Sequence, residues 1–425
     1  MIYFRAETYQ IMCSLTTFFA QNVAIFLKQV DKGRENGMEK HKLATRVGQI
    51  SPFQVMEVLA RAKQLQLQGE DVIHLEVGEP DFVAVEAVAN AGMEAIQQGK
   101  TGYTSATGLP ELKRAISDDY LSRYQVAVSP ERIIVTPGAS GALLLMASLM
   151  VNPGEEVVMP DPCYPCNRHF LIQAGAQAKL IETKPEEGFE MDLSTLANHW
   201  GENTAGLWLA SPSNPTGAVL SKSYISDAWE KVSELGGHLL VDEIYQGLVY
   251  EGDDFSALSI ADDIFVINSF SKYFAMTGWR LGWLVVPEWA IEGATKLAQN
   301  LFIAAPSVSQ YAAVRAFFPD VLAECEVRRQ ILNARRLVLL EGLGVIGLPV
   351  VAPAHGAFYI YVDVSSVTQD AMAWCLALLE QEKVALTPGA DFGIKDAHKY
   401  VRFAYTCDEA RLQEALVRIA RFMAS

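Results

Sequence analysis

The stretch "SFSKYFAMTGWRLGW", Ser269 to Trp283, places a lysine where a lysine is costly. Lys272 follows the apolar run "IFVIN" and so stands just past what reads as a buried strand. An ammonium in that position must be solvated, paired or consumed in a covalent bond. Ser269 lies three residues before it and Arg280 eight residues after it. Together they offer a nucleophilic amine, a hydroxyl and a permanent cation; the plainer alternative is a loop with solvated Lys and Arg. Upstream, "HLLVDEIYQG" puts Asp242 at the end of an apolar run and Tyr245 three residues further on. A carboxylate there is either exposed at a strand tip or buried against a cation.

Other strand ends add complementary groups. In "IIVTPGASGALLLMASL", Gly138 permits a close turn, and the amides of Ala139 and Ser140 point out of a helix N-terminus, which suits an anion. In "DPCYPCN", Tyr164 can stack on a planar ring, and in "LASPSNPTGAV", Asn214 can present its amide to a ligand. Each has a bland counterpart: a packing glycine, an anchoring tyrosine, a turn asparagine. Taken together they fall at the ends of successive strands, where open α/β sheets bind ligands. A planar, phosphorylated, carbonyl-bearing heterocycle would use all of them. Pyridoxal 5′-phosphate is such a molecule, with lysine for its aldehyde, carboxylate for its pyridine nitrogen, and helix end plus arginine for its phosphate.

These residues need a sheet to align them. The runs "RIIVT", "EVVMP", "AKLIE", "GLWLA", "HLLVDE", "IFVIN" and "GWLVV" are almost continuously apolar, as in strands buried on both faces of a mostly parallel sheet. Helical stretches such as "GALLLMASLM" and "KSYISDAWEKVSELG" lie between most of them. This alternation predicts an α/β fold with a three-layer αβα large domain over about residues 86–325. From 326 to 425 the texture is α+β: a long amphipathic helix, "HGAFYIYVDV", a helix around "AMAWCLALLEQEKV", the strand "YVRFAY" and a terminal helix. Residues 43–85 are expected to join it in a second, smaller domain, with the site in the cleft between the two. Residues 1–42 read as an N-terminal extension outside the core, with Met38 as the functional start.

Composition narrows the function classes. A net charge of −16 over 425 residues argues against a nucleic-acid surface, which needs a basic field. No apolar run reaches the ~20 residues that span a bilayer. The six cysteines are scattered, which favours a reducing compartment, the cytoplasm. Cys163 and Cys166 form a C-x-x-C without a second pair, so no metal site is expected.

With these motifs in place, the chain from about Leu43 to its C-terminus resembles the class I aminotransferases of the fold-type I pyridoxal-phosphate enzymes. "SFSKYFAMTGWRLG" matches that family's lysine signature, and "SPSNPTG", "VDEIYQ" and "YVRFAY" follow in the expected order. The resemblance implies transamination between an L-amino acid and a 2-oxo acid by ping-pong half-reactions. It implies that Lys272 forms the internal aldimine and shuttles the Cα proton. Asp242 would protonate the pyridine nitrogen, its own pKa pulled down by that charge. Tyr245 and Asn214 would bond the cofactor's phenolate oxygen, and Tyr164 would stack on its ring. Ser269, Arg280 and the Ala139 and Ser140 amides would hold the phosphate. Tyr103, in "GKTGYTSATG", would reach a neighbouring subunit's phosphate, implying a homodimer with shared sites. Arg402 would clamp the substrate α-carboxylate, with Gly78 of "LEVGEPDF" beside it. Phe53 and Phe358 are candidates for the side-chain pocket, and Arg168 is the nearest cation for a second carboxylate. C–S β-lyase or related carbanion chemistry on the same fold is the alternative, since fold does not decide reaction. A cofactor-sensing regulatory domain would need a DNA-binding segment that residues 1–42 are too short and too weakly basic to form.

Overall fold

The computed structural model describes residues 43–350, 352 and 354–425; the expected extension and Met38 lie outside them. Thr45–Gln49 form a short 3₁₀ helix, and Ile50–Ser425 form a separate compact unit.

The unit's frame is a seven-stranded sheet. Its strands are β2 (Ile133–Thr136), β3 (Glu156–Asp161), β4 (Gln177–Glu182), β5 (Thr204–Ala210), β6 (His238–Asp242), β7 (Phe265–Ser269) and β8 (Gly282–Val285). Their spatial order is β2-β8-β7-β6-β5-β3-β4. All neighbours are parallel except around β8, which is antiparallel to both β2 and β7. All seven apolar runs read from the sequence are strands of this sheet.

Side chains alternate between the faces, and the two faces feed two separate cores. Ile133, Val135, Val158, Leu207 and Leu209 pack on one side; Ile134, Val157, Met159 and Trp208 pack on the other. Helices α3 (Pro110–Tyr124), α6 (Lys222–Glu234) and α8 (Ser307–Val314) cover the first face. Helices α4 (Gly138–Met150), α5 (Pro165–Ala174) and α7 (Ile291–Leu301) cover the second. Helix α4 is so apolar because it is buried along nearly its whole length.

The same unit contains a small sheet of β11 (Thr387–Pro388), β12 (Tyr400–Ala404) and β9 (Tyr359–Asp363), antiparallel throughout. The strand pair β1 (Ile73–His74) and β10 (Val384–Ala385) is parallel and ties the early chain to the late chain. Helices α9 (Pro319–Val345), α10 (Ala371–Glu382) and α11 (Glu409–Met423) complete a third core with these strands. Asp370 and Asp408 cap α10 and α11 by accepting from the amides of Ala373 and Arg411. Among the described residues no helix is long and apolar enough to cross a membrane.

Candidate active site

The parallel strands β2, β3, β5, β6 and β7 end at one edge of the large sheet, and the chemistry-bearing residues leave from those ends. Arg280 joins them because β8 is antiparallel. Gly282, at the start of β8, is in register with Thr136 and Ser269 at the ends of β2 and β7. A cavity of about 510 Å³ opens there, lined by Gly78, Ala139, Ser140, Tyr164, Asn214, Asp242, Tyr245, Lys272, Arg280 and Arg402 among others.

One end of the cavity is a glycine cradle. Gly138 has φ +74°, and a Cβ on it would come within 2.6 Å of an Arg280 guanidinium nitrogen. Only glycine leaves that gap at that backbone angle. The first amides of α4 have no intrahelical acceptor, and Ala139 and Ser140 line the same cavity. Ser269 is buried just beneath the wall: its hydroxyl donates to Leu281 O at 3.1 Å and lies 3.0 Å from Ser271 Oγ. Ser271, which had no role in the sequence reading, lines the cavity itself.

At the centre, Asp242 is buried and accepts one hydrogen bond, from Ile244 N at 3.0 Å. Burial raises its pKa to about 6 against the pull of that bond and of Lys272. The expected lowering depends on a cofactor cation that the chain does not contain; the protein alone pushes the other way. Lys272 Nζ donates to Gly78 O at 2.6 Å. Burial, then the repulsion of Arg402, lowers its pKa to about 8. Tyr245 Oη shares a 2.8 Å hydrogen bond with Tyr359 Oη. Tyr164 lies at the start of α5, its hydroxyl accepting from the Cys166 thiol at 3.3 Å.

The third part is built around Arg402. Its Nη1 donates to Asn214 Oδ1 at 2.9 Å, and its Nη2 donates to Glu76 O at 2.7 Å and Thr387 Oγ1 at 3.3 Å. The guanidinium stacks on Tyr359 and Phe392, 4.2 and 4.8 Å from their ring centroids. A Cβ on Gly78 would collide with the Tyr359 hydroxyl, so that close approach requires glycine.

A lysine of lowered pKa, a buried carboxylate and an arginine-backed glycine cradle thus share one cavity. The family model for aminotransferase class I and II matches residues 70–419. Valine–pyruvate aminotransferase of Mycobacterium tuberculosis is 37% identical over 90% of this chain and 99% of its own length. Aspartate/prephenate aminotransferase of Thermus thermophilus is 35% identical over 90% of this chain and 98% of its own. A solved aminotransferase structure from M. tuberculosis superposes with a TM-score of 0.88 at 36% identity, covering 91% of this chain and all of the other. The chain belongs to the class I and II aminotransferases.

In this aminotransferase, several of the residues picked from the sequence lie off the cavity wall, among them Ser269, beneath it, and Tyr103, which is 84% exposed on the same chain. Phe53 lines the cavity; Phe358 is core, against Tyr245. Arg168 does not line it and donates Nη2 to Asp391 O at 3.0 Å. Tyr359, Glu76 and Asp391 line the cavity but were not picked out. Tyr359 carried a signal, since it adjoins Phe358 in an alternating strand pattern. Asp391 carried none: its carboxylate accepts from Gln54 N and Val55 N at 2.7 and 2.8 Å, from the opposite end of the chain. Cys163, Cys166, Cys325, Cys375 and Cys407 are free thiols. No cluster of three or more metal-type ligands occurs among the described residues.

Proposed function

We propose that this aminotransferase uses pyridoxal 5′-phosphate to exchange an amino group between L-amino acids and 2-oxo acids at the cavity around Lys272. The observation that carries this reading is the fit of three unlike groups to one molecule: Lys272, the buried Asp242, and the Gly138 cradle against Arg280. Among the described residues no cation pairs with Asp242 within salt-bridge distance, so the carboxylate is set for a cationic partner from outside the chain. Bound there, the cofactor would supply an aldehyde carbon for amines and an electron-withdrawing ring.

The protein's own tasks follow. Asp242 would hold a proton on the ring nitrogen. Ala139, Ser140 and Arg280 would hold the phosphate, with Ser269 fixing Ser271 beside it. Tyr164 would lie against the ring, and Tyr245 and Asn214 would address its oxygen. Lys272 would anchor the aldehyde and, when displaced by the substrate amine, move the proton at the substrate Cα. Its pKa of about 8 leaves a usable neutral fraction near pH 7. Arg402 would bind the substrate α-carboxylate, oriented by Asn214, with Gly78 alongside.

We further propose a homodimer in which Tyr103, exposed on its own chain, completes a neighbour's phosphate site. The free thiols support a cytoplasmic setting. Residues 43–85 and 326–425 would form a lobe distinct from 86–325.

The test is the visible absorbance of the purified protein on adding L-amino acids without an oxo acid. In wild type the cofactor band is lost as the first half-reaction proceeds. In Lys272→Ala that conversion should slow by ~10⁴-fold or more, since anchor and proton carrier vanish together. Wild-type rates in this variant would sink the assignment.

A further inference from the structure

We infer that the cavity selects amino and oxo acids with uncharged, mainly apolar side chains and rejects dicarboxylates. The inference rests on the reading given above of Lys272, Arg280 and Arg402.

Those three are the cations that line the cavity among the described residues. Each already has an assigned partner: aldehyde, phosphate and α-carboxylate. Arg402 has only its Nε and one Nη1 hydrogen left to donate, and the α-carboxylate would take both. Both its Nη atoms are hydrogen-bonded within the protein, and two aromatic rings stack on its guanidinium. Arg168, the nearest further cation in sequence, stays off the wall and bonds a backbone oxygen.

Carboxylates, by contrast, are in surplus. Glu76, Glu79 and Asp391 line the same cavity as Asp242. Glu76 is fully buried; its Oε1 lies 2.7 Å from His74 Nδ1, and its Oε2 has no partner. Glu79 accepts from the Thr277 hydroxyl, and Asp391 from two backbone amides. A distal carboxylate on the substrate would lose its water in a field that is already negative, with no cation of this chain to receive it.

An apolar side chain has a prepared surface instead. Phe53, Val55, Met56 and Leu59 come from the start of helix α1 (Gln54–Leu67), and Phe392 faces the cavity too. Asp391 holds the first two amides of α1, so the same carboxylate that repels an anionic substrate also secures the apolar wall. Both half-reactions use this cavity. The selectivity therefore applies equally to the amino donor and to the oxo-acid acceptor, which favours pyruvate or alkyl and aryl oxo acids over 2-oxoglutarate.

The experiment compares first half-reactions of the holoenzyme with leucine, phenylalanine, aspartate and glutamate. It also measures binding of 2-methylleucine and 2-methylaspartate, which have no Cα proton to lose, by tryptophan fluorescence. The apolar donors should lead in kcat/KM by ~10²-fold or more, and 2-methylleucine should bind tighter by a similar factor. Glu76→Gln should narrow the leucine-to-aspartate ratio by ~10-fold. Aspartate or glutamate matching leucine, with 2-methylaspartate binding as tightly as 2-methylleucine, overturns the inference while leaving the cofactor reading intact. Conversion with no donor of either class overturns the cofactor reading and the inference with it.

Discussion

The two ends of the cavity are built in different ways. The Asp242–Lys272 end comes off the edge of the large sheet. Strand ends put its residues in place, and its electrostatics come mainly from burial, which moves an acid up to about 6 and an amine down to about 8. The Arg402 end is assembled by partners far apart in the chain: Glu76 O, Asn214 and Thr387 around one guanidinium, with Tyr359 and Phe392 against it. The first end is held uncomfortable, with charged groups short of partners. The second is nearly saturated with hydrogen bonds. The first therefore suits bond making and proton movement, and the second suits repeated binding of a carboxylate in one orientation.

That contrast can be broken at the Arg402 end. Arg402→Lys keeps the charge but loses the planar fork and at least one of its internal bonds. We expect about a 10²-fold fall in kcat/KM, roughly 3 kcal/mol, carried mainly by KM, with the cofactor spectrum unchanged. Loss of cofactor instead would mean that Arg402 belongs to the other end.

The strained end is probed by pH. A folded-state pKa raised above the ordinary carboxylate value means that the fold prefers protonated Asp242. The resulting penalty is absent below about pH 4, grows as pH rises through about 6, and is complete by pH 7. In cofactor-stripped protein, Asp242→Asn should therefore gain about 3 kcal/mol of stability on wild type between pH 4 and pH 7. Urea melts at the two pH values check this. A gap that does not change with pH would show that Asp242 is not penalised by burial.

The smallest effect lies where the two ends meet. Tyr359→Phe removes the 2.8 Å bond to Tyr245 but keeps the ring against Arg402. A loss of about 1 kcal/mol in equilibrium unfolding is expected. A loss several times larger would mean that the two ends are coupled through this hydroxyl.

The same division governs what could be read from residue order. Asp242, Lys272 and the Gly138 turn were legible because each follows an apolar run, and a run's end is a place in a sheet. Arg280 was legible through its spacing from Lys272, but the antiparallel strand β8 that it precedes was not. Ser269 ends β7 and Ser271 follows two residues later in the turn, and spacing alone did not tell which would reach the cavity. The direction of the Asp242 shift was also not legible, because it depends on how many atoms surround the carboxylate.

Local periodicity and strand-end chemistry were sufficient for the layered α/β fold and pointed to Asp242, Lys272 and the Gly138 turn, since the type and the end of each element are written in residues close together in the chain. The Arg402 network, the capping of α1 by Asp391 and the surplus of carboxylates facing the substrate were decided only on folding. They join residues such as Gln54 and Asp391, 337 positions apart, and no local pattern records which distant hydrogen-bonding groups will meet.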